Sequence, residues 1–277
     1  MYVSPRLRRL LGVATGCLLL LIYIPLALVV LYAFNPSRSQ KWPIAGFTLK
    51  WIGDAIGNPG ARDAIVLSIE VGLLATGIAL VLGSLLAAAV HRYRFFGRNA
   101  VSFLVILPIA LPGIVTGIAL NATFRTLFGG LTLLTLVIGH ATFCVVVVYN
   151  NVIARLRRTS GSLVEASADL GADPWQTFRH VTFPVIRSAL LAGALLAFAL
   201  SFDEIVVTTF TAGSHETLPI WIFANLSRPN QLPIVNVVAV LAILLSLIPV
   251  YVAQRITADP VTSAAAPGAD IAAEPVP

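Results

Sequence analysis

Six runs of mostly apolar residues dominate the chain, at 11–34, 64–90, 101–120, 131–152, 185–209 and 234–253. Each approaches or exceeds the ~20 residues that an α-helix needs to cross a hydrocarbon core. Polar residues gather between the runs rather than alternating within them. The pattern predicts an all-α integral membrane protein with six transmembrane helices. Residues 1–10 form its N-terminal segment, 11–255 the membrane domain and 256–277 a tail. The tail is rich in Ala and Pro without a periodic apolar face, and is expected to be disordered. The first run is too long for a signal-peptide core and lacks a clear small-x-small cleavage site, so it reads as an uncleaved span.

Composition agrees with the pattern. The chain is 58% hydrophobic and only 11% charged, with mean hydropathy +0.91. A soluble domain of 277 residues could not cover its surface with so few charges. The net charge of +6 reports topology rather than nucleic-acid binding, because its bases flank the apolar runs. With the N-terminus inside, twelve of the 18 Lys and Arg residues fall on the cytosolic side and six outside. Arg6, Arg8, Arg9, Arg155, Arg157 and Arg158 carry much of that excess, which predicts an N-in, C-in arrangement. Trp42 and Trp51, in the outer segment 35–63, suit a membrane interface. Cys17 and Cys144 both sit inside predicted spans, so no structural disulfide is expected.

Two spans carry local signals. Ala79, Gly83 and Ala87 recur every four residues, a small-residue stripe that lets another helix approach closely. Pro108 and Pro112 should bend or break the third span, and the freed carbonyls must then meet protein or line a cavity. The pair fits either a solute pathway or an ordinary kinked packing helix.

The polar stretch 162–184 is predicted to form two short helices at the cytosolic surface. Ser162 is placed as the first N-cap, with Glu165 three residues on completing a capping box. Gly171 can take the left-handed conformation that ends that helix. Asp173 then caps a second helix with Pro174 in its first position. A DNA-reading helix-turn-helix is excluded by the close flanking spans and the acidic first helix.

This stretch resembles the EAA loop of ABC-importer permeases: Glu-Ala-Ala, three residues, Gly, nine residues, Ile-x-Leu-Pro. Glu165, Ala166, Gly171 and Pro184 fall in register, while Ser167, Val181 and Phe183 are replacements similar in size or polarity. The resemblance implies that Glu165, Ala166, Ser167, Gly171, Ala172 and Pro184 belong to a surface that docks on a cytosolic ATPase. The segments Trp42–Trp51 and Leu200–Phe210, with Leu218-Pro-Ile after the latter, resemble the spermidine/putrescine-type branch. For this chain the resemblance implies the type I importer permease fold in a bacterial inner membrane. It also implies cytosolic ATP-binding subunits, a second permease subunit expected to be a different chain, and an extracytoplasmic solute-binding protein. Membrane lipid surrounds the whole, and no nucleic acid is involved. No cofactor is expected on this chain, and ATP with Mg belongs to the partner ATPase. A phosphate-binding Gly-x-x-x-x-Gly-Lys-Ser/Thr loop is indeed absent from the sequence, so this chain is not expected to be an enzyme.

Asp203 and Glu204 are the most unusual residues within a predicted span, since charges at such depth are expensive unless hydrated or paired. Read as one helix from Pro184, the span puts Asp203 about 28 Å along, towards the outer face. Glu70 should lie at similar depth in the second span, so the three carboxylates could form a vestibule for a cationic solute. Adjacent residues on a helix diverge by about 100°, so Asp203 and Glu204 should not both face one narrow path. One of them is expected to cap or pair structurally. His91, His140, His180 and His215 lack metal-ligand spacing and read as interfacial or packing residues.

The reading is therefore a permease subunit of an ATP-driven importer of polyamines. A proton-coupled secondary transporter using Asp203 or Glu204 is the rival mechanism, disfavoured by the missing inverted repeat. An importer of another small solute is the rival within the class. A membrane scaffold without transport is a third reading, disfavoured by the intramembrane carboxylates.

Overall fold

A computed structural model describes residues 4–257, and every regular element among them is helical. Ser4 accepts a hydrogen bond from Leu7 N–H at 3.3 Å and starts α1, Pro5–Ala33, with Pro5 in the first turn. Beyond Arg6, Arg8 and Arg9 in its first turns α1 is apolar all round, is exposed over most of its length, and packs mainly on the last helix. Such a helix needs lipid or another subunit as its solvent. A short α2, Lys50–Ile56, follows. It buries Trp51, whose indole N–H donates to the Asn35 carbonyl at 2.8 Å. Only Trp42, 73% exposed, is free to sit at an interface, so the expectation for Trp51 is corrected. The helix turns its indole inward, onto a buried backbone acceptor.

Asn58 caps α3, Pro59–Arg92, and a Thr132–Thr135 capping box starts α6, Leu133–Arg158. These two form the centre of the bundle. Ala75, Ala79, Gly83 and Ala87 of α3 are all buried in the seam, against a core that includes Val148 and Tyr149 of α6. A Cβ at Gly83 would meet the Val145 carbonyl oxygen at 2.9 Å and the Tyr149 nitrogen at 3.1 Å. Backbone is an unyielding neighbour, so Gly83→Leu should cut the yield of folded protein in mild detergent by well over half. Overpacking of this kind typically destabilises by about 1–3 kcal/mol or more. Gly77→Leu, where the space is open, serves as the control and should leave yield unchanged. Equal yields from both variants would show that the α3–α6 seam is not close-packed.

Between α3 and α6 the chain runs through α4, Arg98–Ala110, and α5, Gly113–Phe128, which meet at a bend of 103°. The predicted span 101–120 is thus two helices. Pro108 lies inside α4 and Pro112 caps α5, and neither ring offers an N–H to the preceding turn. After α6 come α7, Ser162–Asp169, and α8, Pro174–Thr177. A five-residue π turn, Phe178–Thr182, feeds directly into α9, Phe183–Phe202. The chain ends its described part with α10, Val206–Thr211, α11, Leu218–Leu226, and α12, Leu232–Thr257. Five helical stretches are long and apolar enough to cross a membrane, or six if α4 and α5 count as one broken span. Residues 256–257 complete α12, and the rest of the predicted tail lies outside the described residues.

The fifth predicted span, 185–209, is the second correction. α9 stops at Phe202, and α10 is a separate short helix. Asp203 and Glu204 therefore sit in a break, and the 100° argument for a continuous helix does not govern them.

Candidate functional site: a docking loop and a broken helix

The loop 162–184 projects from one end of the bundle. Its first helix begins one residue earlier than the sequence implies: Gly161 is the N-cap, and Glu165 N–H donates to its carbonyl at 3.1 Å. Ser162 is therefore already inside the helix and its hydroxyl pairs with Ser160 at 2.6 Å. The expected Ser162–Glu165 capping box does not form, which leaves the Glu165 carboxylate exposed and without an ion-pair partner among the described residues. Gly171 has φ +81°, and Ala172 N–H reaches back to the Ser167 carbonyl at 3.1 Å, closing the helix end. No neighbour crowds Gly171, so its backbone conformation, rather than space, requires glycine.

The second helix is capped as expected, and more completely. Asp173 accepts from Trp175 and Gln176 N–H at 2.8 Å each, while Gln176 Oε1 accepts from Asp173 N–H at 2.9 Å. The Asp-x-x-Gln spacing carried that signal. Ser167 is the buried member of the loop, and its hydroxyl meets Thr177 Oγ1 at 2.8 Å, tying α7 to α8. Ala166 is exposed, Ala172 half-buried and Pro184 sits in the first turn of α9. Leu163, Val164, Leu170 and Trp175 are all exposed, Leu170 by 88%. A solvent-facing loop seldom exposes this many large apolar side chains without a partner. Beside it, a concavity of about 1130 Å³ opens between α3, α7 and α9, with Ser84, Arg92, Glu165 and Arg187 among its walls.

At the opposite end, the break after α9 is built from side chains of three helices. Glu204 Oε1 accepts from Val207 N–H at 2.8 Å, capping α10, whose own N-cap residue, Ile205, has no acceptor to offer. At the other end of α10, the Asn121 amide donates to the Phe210 carbonyl, and Thr135 Oγ1 lies 3.2 Å from the Thr211 carbonyl. Arg125 Nε donates to Asn121 Oδ1 at 3.0 Å and fixes that amide. Glycines make the cradle: a Cβ on Gly117 would strike the Phe210 ring at 2.5 Å, and one on Gly139 would meet Thr211 at 3.1 Å. Irregular backbone within a membrane protein survives where protein satisfies its polar groups, and here it does.

Asp203 differs from its neighbour. It closes α9, is exposed, and its carboxylate has no hydrogen-bond or ion-pair partner among the described residues. Glu70 is also exposed, but it lies with Val66, Leu73 and Leu74 on one face of α3. Gly72, about 200° round the helix, lies against α9, where a Cβ on it would meet the Phe198 ring at 2.9 Å. The vestibule of three carboxylates is thus not assembled within this subunit: Glu204 is engaged in capping, Glu70 faces away from α9, and Asp203 is free. His140, read from the sequence as a packing residue, is buried and holds Ser201 and Thr208 at 2.7 and 2.8 Å. No spacing rule could have found these contacts, because the partners lie 61 and 68 residues away. No group of His, Cys, Asp and Glu suited to a metal ion occurs among the described residues.

Residues 79–260 match the family described as binding-protein-dependent transport system inner membrane component. The chain belongs to that family, and is a multi-pass inner membrane permease of the ABC-importer class. It is 34% identical over 238 residues to the Haemophilus influenzae spermidine/putrescine transport system permease protein PotC, covering 85% of this chain and 91% of that one. It is 33% identical over 229 residues to the Escherichia coli putrescine transport system permease protein PotI, covering 79% and 80%. Among solved structures, a bacterial ABC transporter involved in the import of alginate shares the fold with TM-score 0.68 and 17% identity, covering 92% of this chain and 99% of that one. The MetNI methionine ABC transporter matches with TM-score 0.57 and 20% identity over 76% of this chain and 97% of that one.

Proposed function

We propose that this permease carries polyamines inward, driven by ATP hydrolysed on separate cytosolic subunits that grip the loop 162–184. The observation that carries the coupling role is the loop itself. It is a pair of short helices, the second closed by a full capping box and the two tied through Ser167 and Thr177, with an unpaired Glu165 and exposed apolar side chains, and the π turn joins it without interruption to α9. Movement of a docked ATPase would therefore act directly on the helix that ends at Asp203. The permease partners with a second, different permease chain, and an extracytoplasmic binding protein delivers the solute. ATP binding closes the ATPase pair and turns the cavity outward, and hydrolysis resets it inward. The 1130 Å³ concavity beside the loop supplies part of the inward exit.

The solute class follows from the polyamine permeases it resembles and from the unpaired carboxylate at the break, which suits an ammonium group. Pro108 and Pro112, at the α4–α5 bend, and Glu204, at the base of α10, shape the walls of that path; Glu70 faces the second subunit or lipid. Expressed in cells lacking their own polyamine uptake, together with the genes of its complex, the chain should restore uptake of labelled spermidine or putrescine. Restored uptake of only a neutral or anionic solute would overturn the substrate assignment while keeping the importer class.

The N-in, C-in arrangement rests on the twelve-to-six charge asymmetry. Single cysteines at Leu170 and Trp175 should react with an impermeant thiol reagent only after permeabilisation. One at Gly130 should react in intact cells. Labelling of Leu170→Cys from outside would overturn the topology and the coupling mechanism together.

A further inference from the structure

His140 has no part in the mechanism above, yet it is 1% exposed and both its ring nitrogens are engaged. Nδ1 lies 2.7 Å from Ser201 Oγ, in the last turn of α9, and Nε2 lies 2.8 Å from Thr208 Oγ1, in α10. One side chain of α6 therefore reaches across the break and holds both flanking helices. Thr208 in turn donates its hydroxyl to the Glu204 carbonyl at 2.7 Å. Its one proton being committed there, the ring donates from Nε2, and Nδ1 accepts from Ser201. The hydroxyl, ring and hydroxyl make a directed chain from α9 to the backbone of Glu204. Phe202 and Asp203 are the two residues between the anchored points, Ser201 on one side and Glu204, further fixed by its cap on Val207, on the other; Phe202 is buried and Asp203 is exposed. Cys144 and Phe143 pack in the same layer, with the Phe143 ring 5.6 Å from the imidazole. The clamp is therefore seated in apolar surroundings, where a satisfied polar chain is rigid and an unsatisfied one is strongly disfavoured.

We propose that His140 is a positioning residue: by bridging Ser201 and Thr208 it fixes the geometry of the α9–α10 break and so aims Asp203 at the solute path. The proposal rests on the reading of Asp203 as the solute-facing carboxylate.

Two measurements test it on the assembled complex. The first is spermidine uptake at limiting concentration, divided by the amount of complex, for Asp203→Asn, His140→Ala, His140→Gln and the pair Asp203→Asn with His140→Ala. His140→Ala should lower uptake about tenfold, the scale of one lost charged contact. Adding Asp203→Asn should then lower it little further, because the second change removes a group already misdirected. His140→Gln, whose amide both donates and accepts, should recover a good part. The second measurement reads position 203 without transport. In an Asp203→Cys variant with exposed Cys17 replaced by Ser, a small cationic thiol reagent should react at a rate that His140→Ala changes several-fold. A cysteine at Gly130 should be unaffected.

Should His140→Ala fail to assemble, Ser201→Ala and Thr208→Val each remove one end of the clamp at nearly constant volume and take its place in both measurements. Normal uptake and unchanged labelling in the His140 variants, with Asp203→Asn impaired, would overturn the positioning role alone. Wild-type uptake in Asp203→Asn would instead remove the solute-facing reading on which the proposal stands. Fully multiplicative losses in the paired variant would show that the two residues act independently.

Discussion

Replacing Gly171 with proline is expected to abolish ATP-driven uptake while leaving the protein in the membrane. Gly171 holds φ +81°, a value closed to a pyrrolidine ring locked near −65°, and its N–H donates to the Ala168 carbonyl at 2.9 Å. Proline removes both the turn and the hydrogen bond, so α7 and α8 can no longer meet through Ser167 and Thr177. The damage is confined to a loop that contributes little to the buried core, and the spans should insert normally. Glu165→Ala is the complementary change. Glu165 is exposed and is not used as a cap, so its loss leaves the fold untouched and removes only what it offers a partner. Truncating a buried, charge-paired interface residue typically weakens binding by about 2–5 kcal/mol, enough to uncouple a docked lever. The check is uptake per assembled permease together with co-purification of the ATPase. Uptake at wild-type level in both variants would rule out the docking role of the loop.

The second large effect is expected at Asp203. Asp203→Asn keeps the shape of the side chain and its place at the end of α9, and removes the charge. If the carboxylate receives an ammonium group, the lost contact is worth about 1.5–3 kcal/mol, or roughly tenfold to 150-fold in uptake at limiting solute. Glu204→Gln should behave differently. The amide oxygen can still accept from Val207 N–H, so α10 remains capped and uptake should stay within about twofold of wild type. Glu204→Ala, which cannot cap, should instead lower the yield of assembled complex. The measurement is uptake against spermidine concentration for each variant, normalised to complex. A profile for Asp203→Asn that superimposes on wild type would contradict direct contact with solute and leave the break a gating or structural device.

These expectations divide along the line between what is local in the sequence and what is not. The loop was legible because its determinants are near neighbours. Gly171 ends a helix, Asp173 and Pro174 start the next, and each needs only a few residues of context. Even there the first cap was misplaced by one residue, because Ser160 rather than Ser162 supplied the polar group before α7. The stripe through Ala79, Gly83 and Ala87 was legible for the same reason: helical period alone puts those residues on one face. Pro108 and Pro112 announced the break in the third span, though not its angle.

The break after Phe202 carries no such signature. Leu200 to Phe210 contains no proline or glycine, and its apolar run reads as a continuation of the helix. What ends α9 is supplied from elsewhere in the chain. Asn121 satisfies the Phe210 carbonyl of α10, Thr135 packs its hydroxyl beside the Thr211 carbonyl, Gly117 and Gly139 make room for the helix, and His140 ties it to α9. Tertiary partners from two other helices override a local preference for helix. The division of labour between Asp203 and Glu204 follows from the same break. Once the helix stops, the second carboxylate has an amide to cap and the first has none.

An ATP-driven importer of polyamines and a self-sufficient carrier differ in what powers them. Spermidine uptake into proteoliposomes holding the purified complex with its binding protein, under ATP or under an imposed proton gradient, separates the two. For the proposed importer, uptake should require ATP and the binding protein, survive a protonophore, and disappear in Gly171→Pro. Uptake driven by the proton gradient without ATP, and retained in Gly171→Pro, would make the chain a self-sufficient carrier instead.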